Sequence, residues 1–557
     1  MQRDCYPRLF SARAPRHLIG TTVQWVGLLE ERAMTDEQRN VNEEQQHTQG
    51  ISRRSFFALA GGSGLALATG CTGKPIGGKG WVPSQYESTG NFPTQVRGRI
   101  PIDPLNPTIM REDHRCILCG QCIEVCDREQ AVMHHYELPL IDSIPCIGCG
   151  QCTLWCPTGS ITERDDTQRL WDALNDPSKH VVIQTAPSTR VGLGEEFGLP
   201  AGTNVEGKQV AALRTLGFDA VLDTNFSADL TIMEEAMELV KRLTTEGSVI
   251  PQFTSCCPGW VKFCEMFYPE LRPNLSTALS PMGMLSSVIK THYAEKRGIA
   301  PEDIVSVAVM PCTAKKFEAL RPEMNHAGLY HDNPDIRNTD IVITTRELAR
   351  MIKQTREIDF LALEDSPYDD MLSEYTGGGA FFGATGGVME AAVRTAYYFV
   401  TGENPPKELF ESVIPVRGLE GIKRNAKATI PGYGEVRVAV VSGTANAKEV
   451  LKEVQDGLNE GVVKWHFIEF MACSGGCISG GGQPKTAMPP SHAVRWHRTD
   501  QIYKIDEREG MLRSSHENPQ IQGLYSDFLG KPCEGVAYEL LHTHHYEDRS
   551  NRLTAKK

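Results

Sequence analysis

From about residue 175 to 485, short apolar runs alternate with longer amphipathic segments. Val181-Val182-Ile183, Val305-Ser306-Val307-Ala308-Val309 and Val438-Ala439-Val440-Val441 read as buried strands, and stretches such as 229–243 and 345–355 carry apolar residues at helical spacing. Strands alternating with helices predict an α/β domain of parallel sheets flanked by helices, with a site in the loops after the strands. Upstream the pattern changes. Residues 72–110 are rich in Gly, Pro and Ser, with Gly77-Gly78-Lys79-Gly80 and Pro101, Pro104 and Pro107, and predict an extended linker wrapping the body. No apolar run reaches the roughly 18 residues needed to span a bilayer.

Composition narrows this further. The 557 residues allow three or four domains at roughly 150 residues each. A 40% hydrophobic fraction excludes wholesale disorder, and 57 Lys+Arg against 70 Asp+Glu, net −13, argues against a nucleic-acid partner.

The 17 Cys are odd in number and clustered, which suits metal ligation rather than a disulfide framework. Cys116, Cys119, Cys122 and Cys126 spell C-x2-C-x2-C-x3-C, and Cys146, Cys149, Cys152 and Cys156 repeat it. This is the spacing of bacterial two-cluster ferredoxins, in which the fourth Cys of each run ligates the other cluster. It predicts an α+β ferredoxin-like domain over residues 111–165 holding two [4Fe-4S] clusters, one on Cys116, Cys119, Cys122 and Cys156, the other on Cys126, Cys146, Cys149 and Cys152. Gly120, Gly148 and Gly150 would let backbone N–H groups approach the sulfurs. Zinc also accepts C-x2-C, but a third Cys at this spacing, in two copies, favours iron–sulfur. Asp127 departs from the pattern, because Pro usually follows the fourth Cys, as Pro157 does in the second run.

Near the amino terminus, Ser52-Arg53-Arg54-Ser55-Phe56-Phe57 precedes a weakly apolar, Gly-rich stretch, Ala58 to Gly70, and then Cys71. The stretch is too short to cross a bilayer and reads as a twin-arginine export signal. That pathway carries folded proteins, which suits a chain whose clusters are assembled in a reducing cytosol. Leu67 to Cys71 also approximates a lipoprotein box, in which an acylated Cys71 would give the only membrane attachment; cleavage after Gly70 by an ordinary signal peptidase reads equally well. Such signals lie near the start of a chain, so Met34 is the expected initiator. Residues 1–33 are then a mistranslated leader ahead of a presequence ending at residue 71.

Three distant segments each place Cys beside Gly or Pro after an apolar run. They are Thr254-Ser255-Cys256-Cys257-Pro258-Gly259-Trp260, Met310-Pro311-Cys312-Thr313-Ala314-Lys315-Lys316, and Met471-Ala472-Cys473-Ser474-Gly475-Gly476-Cys477. Five Cys is one more than a cubane needs, so four would hold a further Fe–S cluster and one would have another task. These segments closely resemble the three signature motifs of [FeFe]-hydrogenases. The resemblance runs from about residue 105 to 548 and includes Asp223-Thr224-Asn225-Phe226 and Gly383-Ala384-Thr385-Gly386-Gly387.

The resemblance implies reversible conversion of H2 into protons and electrons at an H-cluster, a cubane joined to a di-iron unit carrying CO, CN⁻ and a bridging dithiolate. Carried over, Cys257, Cys312, Cys473 and Cys477 ligate the cubane, Cys477 bridges to the di-iron unit, and Cys256 is the uncommitted thiol that passes protons. A thiol whose pKa is tunable by its surroundings suits that task. Lys315 would bond one CN⁻, Pro187 and Ser188 line the other, and Met310 and Met471 pack near the bridging CO. The implied proton route runs inward from Arg242 through Glu238, Ser276 and Glu235 to Cys256. Taken alone, Glu238 and Arg242 are equally an i,i+4 ion pair on a solvated helix face.

Three positions depart from the family: Leu279 where Lys is usual, Met282 where Gln is usual, and Ser474 where His is common. The resemblance places the catalytic domain over 175–485 and a small-subunit-like tail over 486–557. With the export signal it implies periplasmic H2 uptake through the two clusters to a cytochrome c or other carrier, with help from the export machinery and maturation enzymes. Residues 111–164 carry 4 basic and 8 acidic side chains, which suits a basic partner. The alternatives are a non-catalytic or H2-sensing relative and a plain electron-transfer fusion. Cys5, Cys71, Cys264 and Cys533 stay outside both constellations, and His542-Thr543-His544-His545 reads as a solvated run rather than a metal site.

Overall fold

The computed structural model describes residues 98–135, 144–413, 417–486, 490–508 and 510–545. The presequence, Met34, Cys5, Cys71 and most of the expected linker lie outside the described residues.

The cysteine-rich region is a small α+β unit. Strand β1 (Ile109–Arg111) pairs antiparallel with β2 (Ile161–Glu163), and two short helices, Gln121–Arg128 and Gln151–Trp155, lie between them in sequence. The chain from Gly98 to Thr108 packs on the cluster loops instead of forming a linker. Gly120 N–H donates to Gly98 O at 3.1 Å, and Ile100 N–H points at Cys122 Sγ at 3.3 Å. The expectation of a linker up to residue 110 is corrected accordingly: its Pro-rich pattern is that of an extended strap whose N–H groups serve sulfur. Asp127 has a local explanation. Without a proline the first helix runs through it to Arg128, whereas Cys156-Pro157 stops the second at Trp155.

The catalytic body contains two four-stranded sheets. The first is all parallel, in the order β4 (Ala220–Asp223), β3 (His180–Thr185), β6 (Ile304–Met310), β7 (Ile341–Thr344). Its strands are apolar on both sides, as a sheet covered on both faces requires. Val181, Ile183, Val221, Val307 and Ile343 face the helices Glu206–Leu216 and Thr345–Gln354, while Val182, Ala220 and Leu222 pack against the helices Thr224–Thr244 and Pro281–Val288.

The second sheet runs β5 (Gln252–Phe253), β10 (Phe467–Met471), β9 (Gly434–Ser442), β8 (Arg424–Ile430); β8 is antiparallel to β9, so this sheet is mixed where parallel pairing was expected. β8 alternates exposed and buried residues, the pattern of an edge strand with one wet face. One core joins Val125 and Ile147 of the cluster unit to Phe253, Trp260 and Phe470 beneath this sheet. The tail contributes Ile502 to one core and Ile521, Leu540 and Leu541 to another. No helix among the described residues is long and apolar enough to cross a membrane.

Candidate metal centre and proton relay

Four of the segments that carry site chemistry leave the carboxyl ends of parallel-paired strands. β3 leads to Pro187 and Ser188, β5 to Cys256 and Cys257, β6 to Cys312, and β10 to Cys473. Cys256, Cys257, Cys312 and Cys477 line one cavity of about 500 Å³, together with Pro187, Ser188, Met310, Met471, Lys315 and Met282. Cys473 is buried within electrostatic reach of Cys312, Cys257 and Cys477. All described cysteines are free of disulfides. Burial, then the nearby thiols, pushes Cys312 up to about 12, and Cys257, Cys473 and Cys477 are raised as well. A buried set of four thiols that resist ionisation fits a cationic thiophilic centre, which supplies the missing charge. Ala472 N–H adds a donor to Cys257 Sγ at 3.4 Å.

The other eight cysteines sort into the crossed sets expected from their spacing. Cys116, Cys119, Cys122 and Cys156 line a cavity of about 310 Å³ that opens beside exposed Ile117. Cys126, Cys146, Cys149 and Cys152 line one of about 410 Å³. The cluster-loop glycines Gly120, Gly148 and Gly150 all adopt left-handed φ, and Gly148 N–H faces Cys146 Sγ at 3.4 Å.

Cys149 lies within electrostatic reach of Cys312 and Cys257, so the second set abuts the large cavity. Close backbone approach makes this possible: a Cβ on Gly481 would fall 2.3 Å from Cys149 O, and one on Gly150 2.3 Å from Thr313 Oγ1. Gln151 Nε2 crosses the junction to Cys473 Sγ at 3.1 Å and Ser479 O at 2.8 Å. Arg346 ties Glu163 to Gly481 O and Gln483 O, and Gln483 Nε2 holds Ser188 O at 2.8 Å. Sequence reasoning missed Gln151, Arg346 and Gln483, whose partners lie far away along the chain.

The expected negative face near the outer set is largely paired. Glu112 meets Arg115, Asp113 meets Arg99 and Arg111, and Glu124 meets Arg128. Apolar Ile117 and Leu118 stand exposed among these pairs.

Lys315 is buried; its Nζ donates to Cys256 O at 3.2 Å and pairs with Glu318 at 2.8 Å. Burial opposes its charge, but Glu318 outweighs that and holds the ammonium above its usual range. Ser280 hydrogen-bonds the other oxygen of Glu318. Leu279 is buried in an apolar cluster, Met282 lines the cavity, and Ser474 Oγ donates to Glu129 at 3.0 Å.

The acid–base groups converge on Cys256. Burial, then Glu235 and the neighbouring thiols, drives the Cys256 thiol well above its ordinary range, so it keeps its proton. Glu235 is likewise raised by burial and then by Glu238 and Glu469, against the weaker pull of the Ser255 N–H and the Ser276 hydroxyl. Ser276 Oγ donates to Glu238 Oε2 at 2.7 Å, and Arg242 Nη2 to Glu238 Oε1 at 2.7 Å. Arg242 is only 13% exposed and also donates to the carbonyls of Pro273 and Leu275. A solvated ion pair is therefore not what the helix carries here.

One further reading changes. His542 and His545 are buried, not solvated, and only His544 of that run is exposed. Cys264 is fully buried, and half-buried Cys533 donates its thiol to Glu234 O at 3.3 Å.

Among known proteins, residues 179–481 match the family described as iron only hydrogenase large subunit, C-terminal domain, and residues 492–549 match iron hydrogenase small subunit. The NADP-reducing hydrogenase subunit HndD of Solidesulfovibrio fructosivorans is 44% identical over 462 residues, which cover 80% of this chain and 75% of that one. The periplasmic [Fe] hydrogenase large subunit of Nitratidesulfovibrio vulgaris is 44% identical over 62% of this chain and 86% of its own. A solved variant of the [FeFe]-hydrogenase HydA1 from Chlamydomonas reinhardtii superimposes with a TM-score of 0.59 at 38% identity, covering 69% of this chain and 99% of that one.

Proposed function

This chain belongs to the iron-only hydrogenase family, oxidoreductases acting on hydrogen, and we propose that it works as a periplasmic uptake enzyme, oxidising H2 and passing electrons through two [4Fe-4S] clusters to a cytochrome c or similar carrier. Cys257, Cys312, Cys473 and Cys477 would hold the H-cluster. The eight upstream cysteines would hold the two relay clusters in their crossed sets. When bound, the H-cluster supplies the site of H2 cleavage and takes up the electrons.

The single observation that carries this reading is the Cys256 thiol on the wall of the cavity rimmed by Cys257, Cys312 and Cys477, with a raised carboxyl, Glu235, behind it. A proton leaving the cavity passes to the Cys256 sulfur as that sulfur releases its own to Glu235. Ser276 carries it to Glu238, and Arg242 gates the surface end. Burial raises both the thiol and the inner carboxyl, so each can hold a proton in transit. Lys315, neutralised by Glu318, holds the Cys256 carbonyl and presents a cation to the cavity where a CN⁻ would sit. Pro187, Ser188, Met310 and Met471 shape the remaining wall.

Periplasmic location is supported by the Arg53-Arg54 signal and by the periplasmic relative; Cys71 acylation would add a lipid anchor. The test is infrared spectroscopy of protein matured with its assembly enzymes, together with an H2-oxidation assay on the exported fraction. CO and CN⁻ bands with H2-dependent cytochrome reduction are expected. Bands without turnover would favour a sensing or non-catalytic relative, and no bands would reduce the chain to an electron carrier.

A further inference from the structure

We propose that the last described segment of the tail, Leu541–His545, is a strap that positions the proton relay, with His542 and His545 as its positioning residues. This rests on the relay reading above.

Ser276 sits in an irregular segment, residues 276–279, with little regular structure of its own. One side serves Glu238, through Ser276 Oγ at 2.7 Å and Thr277 N–H at 3.0 Å. A second side reaches the catalytic loop, where Ser255 Oγ, next to Cys256, donates to Ala278 O at 2.8 Å. The third side belongs to the tail. Leu279 N–H donates to Leu541 O and Thr543 N–H to Thr277 O, both at 2.8 Å, and Ala278 forms an antiparallel bridge with His542. Thr277 Oγ1 bonds His542 Nδ1 at 2.8 Å, and His545 Nε2 bonds Ser276 O at 2.7 Å.

The His542 ring and the His545 backbone are anchored from behind. His542 Nε2 faces Glu234 Oε2 at 2.9 Å, and Cys533 N–H and the Tyr525 hydroxyl complete that carboxylate's bonds. The donor atoms of Glu234, Cys533 and His542 lie within 4.8 Å of one another, but the carboxylate already accepts from three donors, so the trio is a hydrogen-bonded anchor rather than a cation site. His545 is backed by Arg272, which donates to its carbonyl at 3.2 Å. A ring nitrogen against a carbonyl must donate, which assigns the proton of a neutral His545 to Nε2. Its Nδ1 faces Glu265 at 3.9 Å.

The tail therefore grips the backbone at and just after the serine that must stay within proton-transfer reach of Glu238. A displacement of about 1 Å opens a relay hydrogen bond and costs a rate factor of up to about 100.

The experiment compares full-length, matured wild type, His542→Ala/His545→Ala, His545→Ala, His545→Gln and Glu238→Gln. The double variant is expected to lose about 10- to 100-fold in kcat for H2 oxidation, with unchanged KM for H2, intact CO and CN⁻ bands and a larger solvent isotope effect. Hydrogen exchange on the metal-free proteins should show faster exchange at residues 276–279. His545→Gln, which retains an N–H donor, should recover most of what His545→Ala loses; because each is a single change, this pair also decides the matter if the double variant does not fold. Undiminished kcat in His545→Ala and the double variant, beside an inactive Glu238→Gln, overturns the strap alone. Full turnover in Glu238→Gln overturns the relay itself.

Discussion

The electron side and the proton side of this molecule are assembled by different rules. On the electron side the thiols arrive in short motifs, and each cavity is rimmed by cysteines a few residues apart plus one or two from elsewhere. On the proton side the helix that carries Glu235 and Glu238, the segment of Ser276 and the tail with His545 are separate elements that meet only through packing. A ligand loop is a local object because a cluster fixes the spacing of its thiols. A relay is tertiary because proton transfer fixes only a distance.

The two sides should respond differently to damage. Cys477→Ser removes one of the four proposed ligand sulfurs and should abolish H2 turnover while erasing the CO and CN⁻ infrared bands; surviving bands would mean that the di-iron unit is held elsewhere. Cys256→Ala touches only the proton side. Turnover should fall by about 10²–10⁴-fold with the bands retained, and near-normal turnover would remove the thiol from the relay.

A smaller effect tests the junction between the two sides. Burial works against the Glu163 carboxylate, but Arg346 and Arg350 overcome it and hold the group at about 2, below its ordinary 4.5. Because the folded-state value is depressed, its stabilisation is complete above about pH 4.5 and is lost as the pH falls toward about 2. Acid unfolding of the metal-free protein should therefore be less steep in this window for Glu163→Gln, and parallel curves would refute the clamp. Smallest is Gln151→Leu, which deprives Cys473 Sγ and Ser479 O of a donor. Denaturant titration should register a loss of about 1–3 kcal/mol. The midpoint potential of the cubane proposed to sit on Cys473 should fall, since hydrogen bonds to sulfur favour the more negative, reduced cluster; an unchanged potential would mean that this bond has no electronic role.

How much of this the chain announces follows the same division. The crossed cysteine sets and the strands around Val181, Val305 and Val438 were legible because spacing and apolar runs are local signals. The helix around Glu235 was legible too, though not that Arg242 would be roofed by carbonyls. β5 has only two residues, too few for any periodicity, and β8 carries an alternating pattern that was open to reading. His542-Thr543-His544-His545 looks like a wet run by composition, and only the groove beside residues 276–279 turns all but His544 inward. Gln151 and Gln483 are polar residues whose partners are distant in sequence, so no local pattern marks them.

The contact between Gly150 and Gly481, where a Cβ on the second would fall 2.5 Å from the Cα of the first, has a consequence for anyone who rebuilds this protein. Two bare backbones touch there, so the spacing between neighbouring redox modules is set by the absence of two methyl groups. A cluster module borrowed from another protein would dock at the same depth only if both glycines travelled with it; a single alanine at either position would act as a shim, widening the gap that electrons must jump.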